Sequence, residues 1–107
     1  MFIIKKEGNF LMTKLEILNF LKEYKEKNRE KYYIEQLGVF GSFARDEATP
    51  NSDIDIVVKM SKSDMFALIG IKQDIEKYFK SKVDIVQFRE RMNTLLKSRI
   101  SKEAIYV

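Results

Sequence analysis

"GVFGSFARDEATPNSDIDIVV", Gly38 to Val58, decides how this chain is read. An apolar run ends at Phe40, Gly41-Ser42 turns it, and "SFARDEA" continues as a short helical stretch. Thr49-Pro50-Asn51 breaks that stretch, since proline cannot continue a helix and Asn favours turns. "SDIDIVVKM" then alternates at its start and is rich in β-branched residues, the pattern of a half-buried strand. In a strand, residues i and i+2 share a face with their Cα atoms about 7 Å apart. Asp53 and Asp55 therefore sit on one face, while Ile54, Ile56 and Val58 turn to a core.

The flanks read as alternating helices and strands. Thr13-Lys-Leu-Glu16 has the form of a capping box, with Thr13 as N-cap and Glu16 reaching back. Leu15, Leu18, Leu21 and Tyr24 follow at helical spacing, which predicts a helix from Thr13 to Arg29. Residues 32–40 lead into a strand ending at Phe40. Ser63 is the expected cap of a second helix through "DMFALIGIKQDIEKYF", with Phe66, Leu68, Ile69, Ile75, Tyr78 and Phe79 as its apolar contacts. Gly70 sits awkwardly in its middle, because glycine weakens helix interiors. "KVDIVQF" is a third strand. "RERMNTLLKSRISKEAIYV" is a last helix whose apolar tail, Ala104 to Val107, packs back on the body. The fold class expected is α/β (α+β), a small sheet covered by helices.

With 107 residues, the chain has the size of one domain with a modest core. Residues 13–107 form that domain, and residues 1–12 are expected as a disordered N-terminal extension. The sequence holds no cysteine and no histidine. Disulfides, thiolate metal sites, Ser-His-Asp triads and imidazole bases are excluded together. Chemistry must run on carboxylates, hydroxyls, Lys, Arg, Tyr and backbone amides. No apolar run approaches the ~20 residues of a membrane span, and no secretory signal is recognisable, so the expected setting is the cytoplasm. The net charge of +4 is unevenly placed, with −2 over residues 38–60 and +6 elsewhere. Basic residues interleave with acids, as on a solvated helix face, so no nucleic-acid partner is expected. An acidic pocket in a basic body does suit a metal ion with a polyphosphate.

Two ionised carboxylates this close raise each other's pKa unless a cation intervenes. Mg²⁺ is the natural one, a hard ion held by one or two carboxylates and by substrate phosphates. Asp84, inside "KVDIVQF", is a third carboxylate in an apolar strand. If that strand pairs beside the first, the three could hold two ions ~3.5–4 Å apart. Taken alone, an Asp-x-Asp at a strand start more often just faces water. An EF-hand is excluded, since Val58 occupies its glycine position. Gly41 permits a sharp turn and a close approach to a ligand, and Ser42 beside it offers a hydroxyl and a backbone N–H to a phosphate. The plainer reading is that Ser42 caps a helix. Neither a Walker A loop nor a dinucleotide fingerprint is present.

Gly41-Ser42-Phe43-Ala44-Arg45 followed by Ser52-Asp53-Ile54-Asp55-Ile56 resembles the G-S-x-A-R … S-D-x-D signature of the DNA polymerase β-like nucleotidyltransferases. In length and layout the chain resembles their minimal nucleotidyltransferase (MNT) branch. The likeness covers Leu37 to Phe88, and "ISKEAIYV" is similar to that family's ending. It implies a mixed sheet flanked by helices, and two Mg²⁺ ions held by Asp53, Asp55 and Asp84, with Asp84 helping to deprotonate the acceptor. It implies that Gly41, Ser42 and, from a position often basic in the family, Arg45 meet the nucleoside triphosphate, ATP. The residue after Arg45 is commonly Gly in this family and is Asp46 here. Asp tolerates the left-handed conformation, so the turn is expected to survive, with an added negative charge near the phosphates.

The resemblance further implies a protein partner, a HEPN-domain ribonuclease toxin, and transfer of AMP to one of its tyrosines, with this chain as antitoxin. The alternative is an antitoxin that is catalytically weak or inactive and neutralises by binding alone. A nucleic-acid-binding fragment is the third reading, resting on the basic excess and on Tyr32-Tyr33 beside Lys31. It predicts binding that weakens steeply with salt and ignores Mg²⁺.

Overall fold

The computed structural model describes residues 2–4 and 11–107. Strands β1 (Phe2–Ile4) and β2 (Leu11–Thr13) pair antiparallel, Phe2 opposite Thr13. The expectation of disorder for residues 1 and 5–10 lies outside the described residues. Helix α1 (Lys14–Asn28) begins as the capping box requires: Thr13 is its N-cap and accepts the Glu16 N–H at 3.0 Å. Then follow β3 (Ile34–Phe40), the single turn α2 (Gly41–Ala44), β4 (Ile54–Met60), α3 (Met65–Phe79), β5 (Val83–Gln87), α4 (Thr94–Glu103) and β6 (Ile105–Tyr106).

The four-stranded sheet has the order β5-β4-β3-β6. β4 and β5 run parallel, joined across α3, while β3 is antiparallel to both its neighbours. Alternation along β4 divides the core in two. Ile54, Ile56, Val58 and Met60 face α1 and α3, where Ile17, Leu21, Ile71, Ile75 and Phe79 are fully buried. Each such side chain contributes roughly 1.5–3 kcal/mol. On the opposite face Phe40 and Val57 meet Ile100 of α4, with Val86, Phe88, Met92 and Leu96 around them. Asp55 belongs to this second face, which the ten-residue α4 covers only in part. The fold class read from the sequence is the one observed.

Two details of α3 differ from expectation. Asp64, not Ser63, is its N-cap and accepts the Ala67 N–H at 3.0 Å; Ser63 instead bonds Gln87 at 3.3 Å. The buried ridge is Ala67, Ile71, Ile75 and Phe79, one residue every four. Phe66, Ile69 and Tyr78 are exposed, because they lie off that ridge. Gly70 is explained by packing: a Cβ there would come within 2.8 Å of the Tyr32 hydroxyl oxygen. The apolar tail packs back as expected, but as a strand, with Ile105 opposite Val39.

Candidate active site

The loop before β4 is fastened by its own short polar side chains. Ser52 Oγ accepts the Thr49 N–H at 2.8 Å, and the Ser52 N–H returns to the Thr49 carbonyl at 3.0 Å. The Ile54 N–H then bonds the Lys82 carbonyl at 3.0 Å, which starts the parallel ladder. Asp53 thus stands just ahead of β4, partly exposed, its Oδ2 4.0 Å from Lys82 Nζ. One position into the ladder, Asp55 is paired directly with Asp84 of β5. Neighbouring strands lie about 4.8 Å apart, so the two carboxylates leave the same face side by side. The register that the sequence left conditional is the one found.

Phe40, the last residue of β3, is the antiparallel partner of Asp55 and brings the next residue, Gly41, over that carboxylate. Gly41 has φ of +75°, and a Cβ there would overlap Asp55 Oδ2. Glycine is required twice at this position, for backbone conformation and for space. α2 is closed by hydrogen bonds from the Arg45 N–H to the Gly41 carbonyl and from the Glu47 N–H to the Ser42 carbonyl. Asp46 follows at φ +59°, so the left-handed turn is kept without glycine. Its carboxylate is 3.0 Å from Lys14 Nζ, so its added charge is partly compensated. Ser42 provides no side-chain cap to α2; among the described residues its hydroxyl makes no hydrogen bond.

Sequence reading missed Glu103 and Arg99, both on α4. Glu103 Oε1 accepts the Gly41 N–H at 3.2 Å and an Arg45 N–H at 2.8 Å, and lies 3.8 Å from the Arg99 guanidinium. Arg45 also holds Glu47 at 2.7 Å. Arg99 and Glu103 are spaced i, i+4 on one helix, a signal readable in "SRISKEAIYV", but nothing local says that this pair meets Gly41. The Gly41 N–H is thus satisfied by Glu103.

Asp55 titrates abnormally. Burial, then the Asp84 carboxylate, push it up to about 6, Asp53 adding to them; Arg99 and, to a smaller degree, Arg45 pull it back. A raised folded-state pKa means that the folded protein binds this proton more tightly than the unfolded chain does. The stability it contributes is fully present below the ordinary value of 3.8 and is lost as the pH rises through about 6. In EDTA, the stability of wild type relative to Asp55→Asn should therefore fall from pH 4 to pH 7, measured by urea unfolding. A difference independent of pH would refute the assignment.

Among the described residues no three acidic side chains are close enough to form a closed cage around one metal ion. The donor set nonetheless fits a hard divalent cation. Asp55 and Asp84 are adjacent, and among the described residues no basic side chain hydrogen-bonds either. Mg²⁺ keeps waters and substrate oxygens in its shell and needs only one or two carboxylates from the protein. A groove of about 800 Å³ lies elsewhere, between Lys25, Arg29, Tyr33, Ile34 and Lys59, at the far end of β3 from Gly41.

Residues 21–107 match the family model described as Nucleotidyltransferase domain. The chain is 33% identical to protein adenylyltransferase MntA of Thermococcus cleftensis over 102 residues, 91% of this chain and 98% of that protein. A solved structure of a candidate minimal nucleotidyltransferase superimposes with a TM-score of 0.70 at 29% identity, covering 88% of this chain and 95% of that one. A structure of tri-AMPylated Shewanella oneidensis HEPN toxin in complex with MNT antitoxin shares the fold. Its TM-score is 0.65 at 21% identity, with 88% of this chain and 71% of that chain covered.

Proposed function

The chain belongs to the nucleotidyltransferase domain family, and from that premise we propose that it is a Mg²⁺-dependent protein adenylyltransferase, the antitoxin of a HEPN toxin. It moves AMP from ATP to a tyrosine hydroxyl of that partner. The observation that carries this reading is the direct pairing of Asp55 with Asp84 beneath the Gly41 turn. The names of the relatives support the protein acceptor and the nucleotide. Cytoplasm, with its ATP and Mg²⁺, is the setting.

Asp53, Asp55 and Asp84 would hold two Mg²⁺ ions, whose bound form supplies charge neutralisation on the phosphates and a lower pKa for the acceptor hydroxyl. Gly41 leaves room for the triphosphate against Asp55, and Ser42 offers its hydroxyl and N–H. Arg45 stands at the same mouth, its guanidinium divided between Glu47 and Glu103. The exposed Asp84 faces the incoming acceptor and takes its proton. The acceptor oxygen forms a bond to the α-phosphorus while the bond from that phosphorus to the bridging oxygen breaks, and pyrophosphate leaves.

The test is incubation of the chain with its HEPN partner, ATP and Mg²⁺, followed by intact mass of both proteins. An AMP adduct on the partner, absent without Mg²⁺, is expected. Neutralisation of the toxin with no adduct would establish the binding-only antitoxin instead.

A further inference from the structure

Two arginines stand at the mouth of the site, and their side chains are in different states. Arg45 Nε and Nη1 already donate to Glu47 at 2.7 Å and Glu103 at 2.8 Å. Arg99 makes no hydrogen bond among the described residues, and its one ion-pair contact among them, to Glu103 Oε1, is 3.8 Å long. A guanidinium has five N–H donors in a fixed fork suited to phosphate oxygens. That of Arg99 lies 5.7 Å from the centre of the Phe40 ring, which gives it a platform beside the Gly41 turn. Its side chain is 51% exposed, open to a ligand from solvent. Of the two arginines, the uncommitted one is therefore on α4, outside the sequence motif.

We propose that Arg99 is a substrate-binding residue that takes the β- and γ-phosphates of the nucleotide, with Phe40 and Glu103 holding its guanidinium beside the Gly41-Ser42 turn. This rests on the nucleotidyl-transfer reading above. In that reading the acceptor attacks the α-phosphorus at the aspartates, where Asp84 takes its proton. The rest of the triphosphate then lies toward the Gly41-Ser42 turn, and the cation beside the turn meets the end that departs as pyrophosphate. Glu103 is a positioning residue: one oxygen gathers the Gly41 N–H and both arginines, so turn and cation keep a fixed relation. A purely structural Arg99 would be a surface i, i+4 pair, which contributes little to stability.

Calorimetric binding of MgATP and of AMP to wild type, Arg99→Ala, Arg99→Lys and Arg45→Ala tests it. Arg99→Ala should weaken MgATP about tenfold to a hundredfold, the range of charge-assisted hydrogen bonds, and AMP by about twofold or less. Arg99→Lys should fall between, since it keeps the charge and loses the fork, and Arg45→Ala should lose less than Arg99→Ala. The melting temperature of Arg99→Ala should stay within about 2 °C of wild type. If wild type binds MgATP and Arg99→Ala binds it equally, the assignment is overturned. Equal losses of ATP and AMP overturn it too, since the contact would not be to the leaving phosphates. A wild type that neither binds MgATP nor transfers AMP would instead overturn the nucleotidyl-transfer reading.

Discussion

Replacing Gly41 with alanine should abolish AMP transfer, by about 10³-fold or more, and lower stability by about 1–2 kcal/mol. The two losses have separate causes. An alanine at φ +75° occupies the left-handed region, where its Cβ crowds the following carbonyl, and this sets the stability loss. The same Cβ would overlap Asp55 Oδ2 and lie 2.9 Å from its Cγ. Asp55 can escape only by rotating its carboxylate out of the row it forms with Asp84, or the turn must lift. Either movement separates the expected phosphate cradle from the expected metal ligands. Initial rates on the proposed HEPN partner, together with urea unfolding, check both parts. A Gly41→Ala protein that transfers AMP within about tenfold of wild type would refute the close packing of turn and carboxylate as the basis of activity.

Asp55→Asn should be equally inactive, again by about 10³-fold or more, yet should unfold at a higher urea concentration than wild type at pH 7.5 without divalent ions. Asparagine removes a charge penalised by burial and by Asp84, and it can donate an amide hydrogen to that neighbour. Asp53→Asn should gain much less stability, because the Asp53 side chain is 42% exposed and already has Lys82 nearby at 4.0 Å. Mg²⁺ should stabilise wild type and leave Asp55→Asn nearly unmoved, since only a protein that binds the ion gains from it. A less stable Asp55→Asn, or one that retains transfer, would contradict the role given to this carboxylate.

The strand, turn and strand around Gly41 could be read from the sequence because they are local: glycine, proline and alternation act within a few residues. The left-handed backbone of Asp46 was legible through the resemblance, which places glycine there, and Asp tolerates that conformation. Asp84 was legible only as a conditional, for the register of a parallel pair is set by α3 and by burial of Ile54 and Val83, not by anything near Asp84. The face of α3 was misjudged because Phe66, Ile69 and Tyr78 are large and apolar, while the small Ala67 marks the true ridge. Glu103 meets Gly41 across 62 residues of sequence, where periodicity carries no information. The uncommitted arginine comes from that same distant helix.

The long reach from Glu103 to Gly41 also fixes an order in time. Ribosomes extend the chain from its N-terminus, so the glycine turn and the paired aspartates are made well before the helix and strand that fasten them. Until Glu103 and β6 emerge, the Gly41 N–H lacks its carboxylate and the Val39 edge of β3 lacks its partner. A nascent chain stalled before this point holds the acidic residues without the assembled pocket. The pocket around Gly41 is therefore complete only in a finished domain.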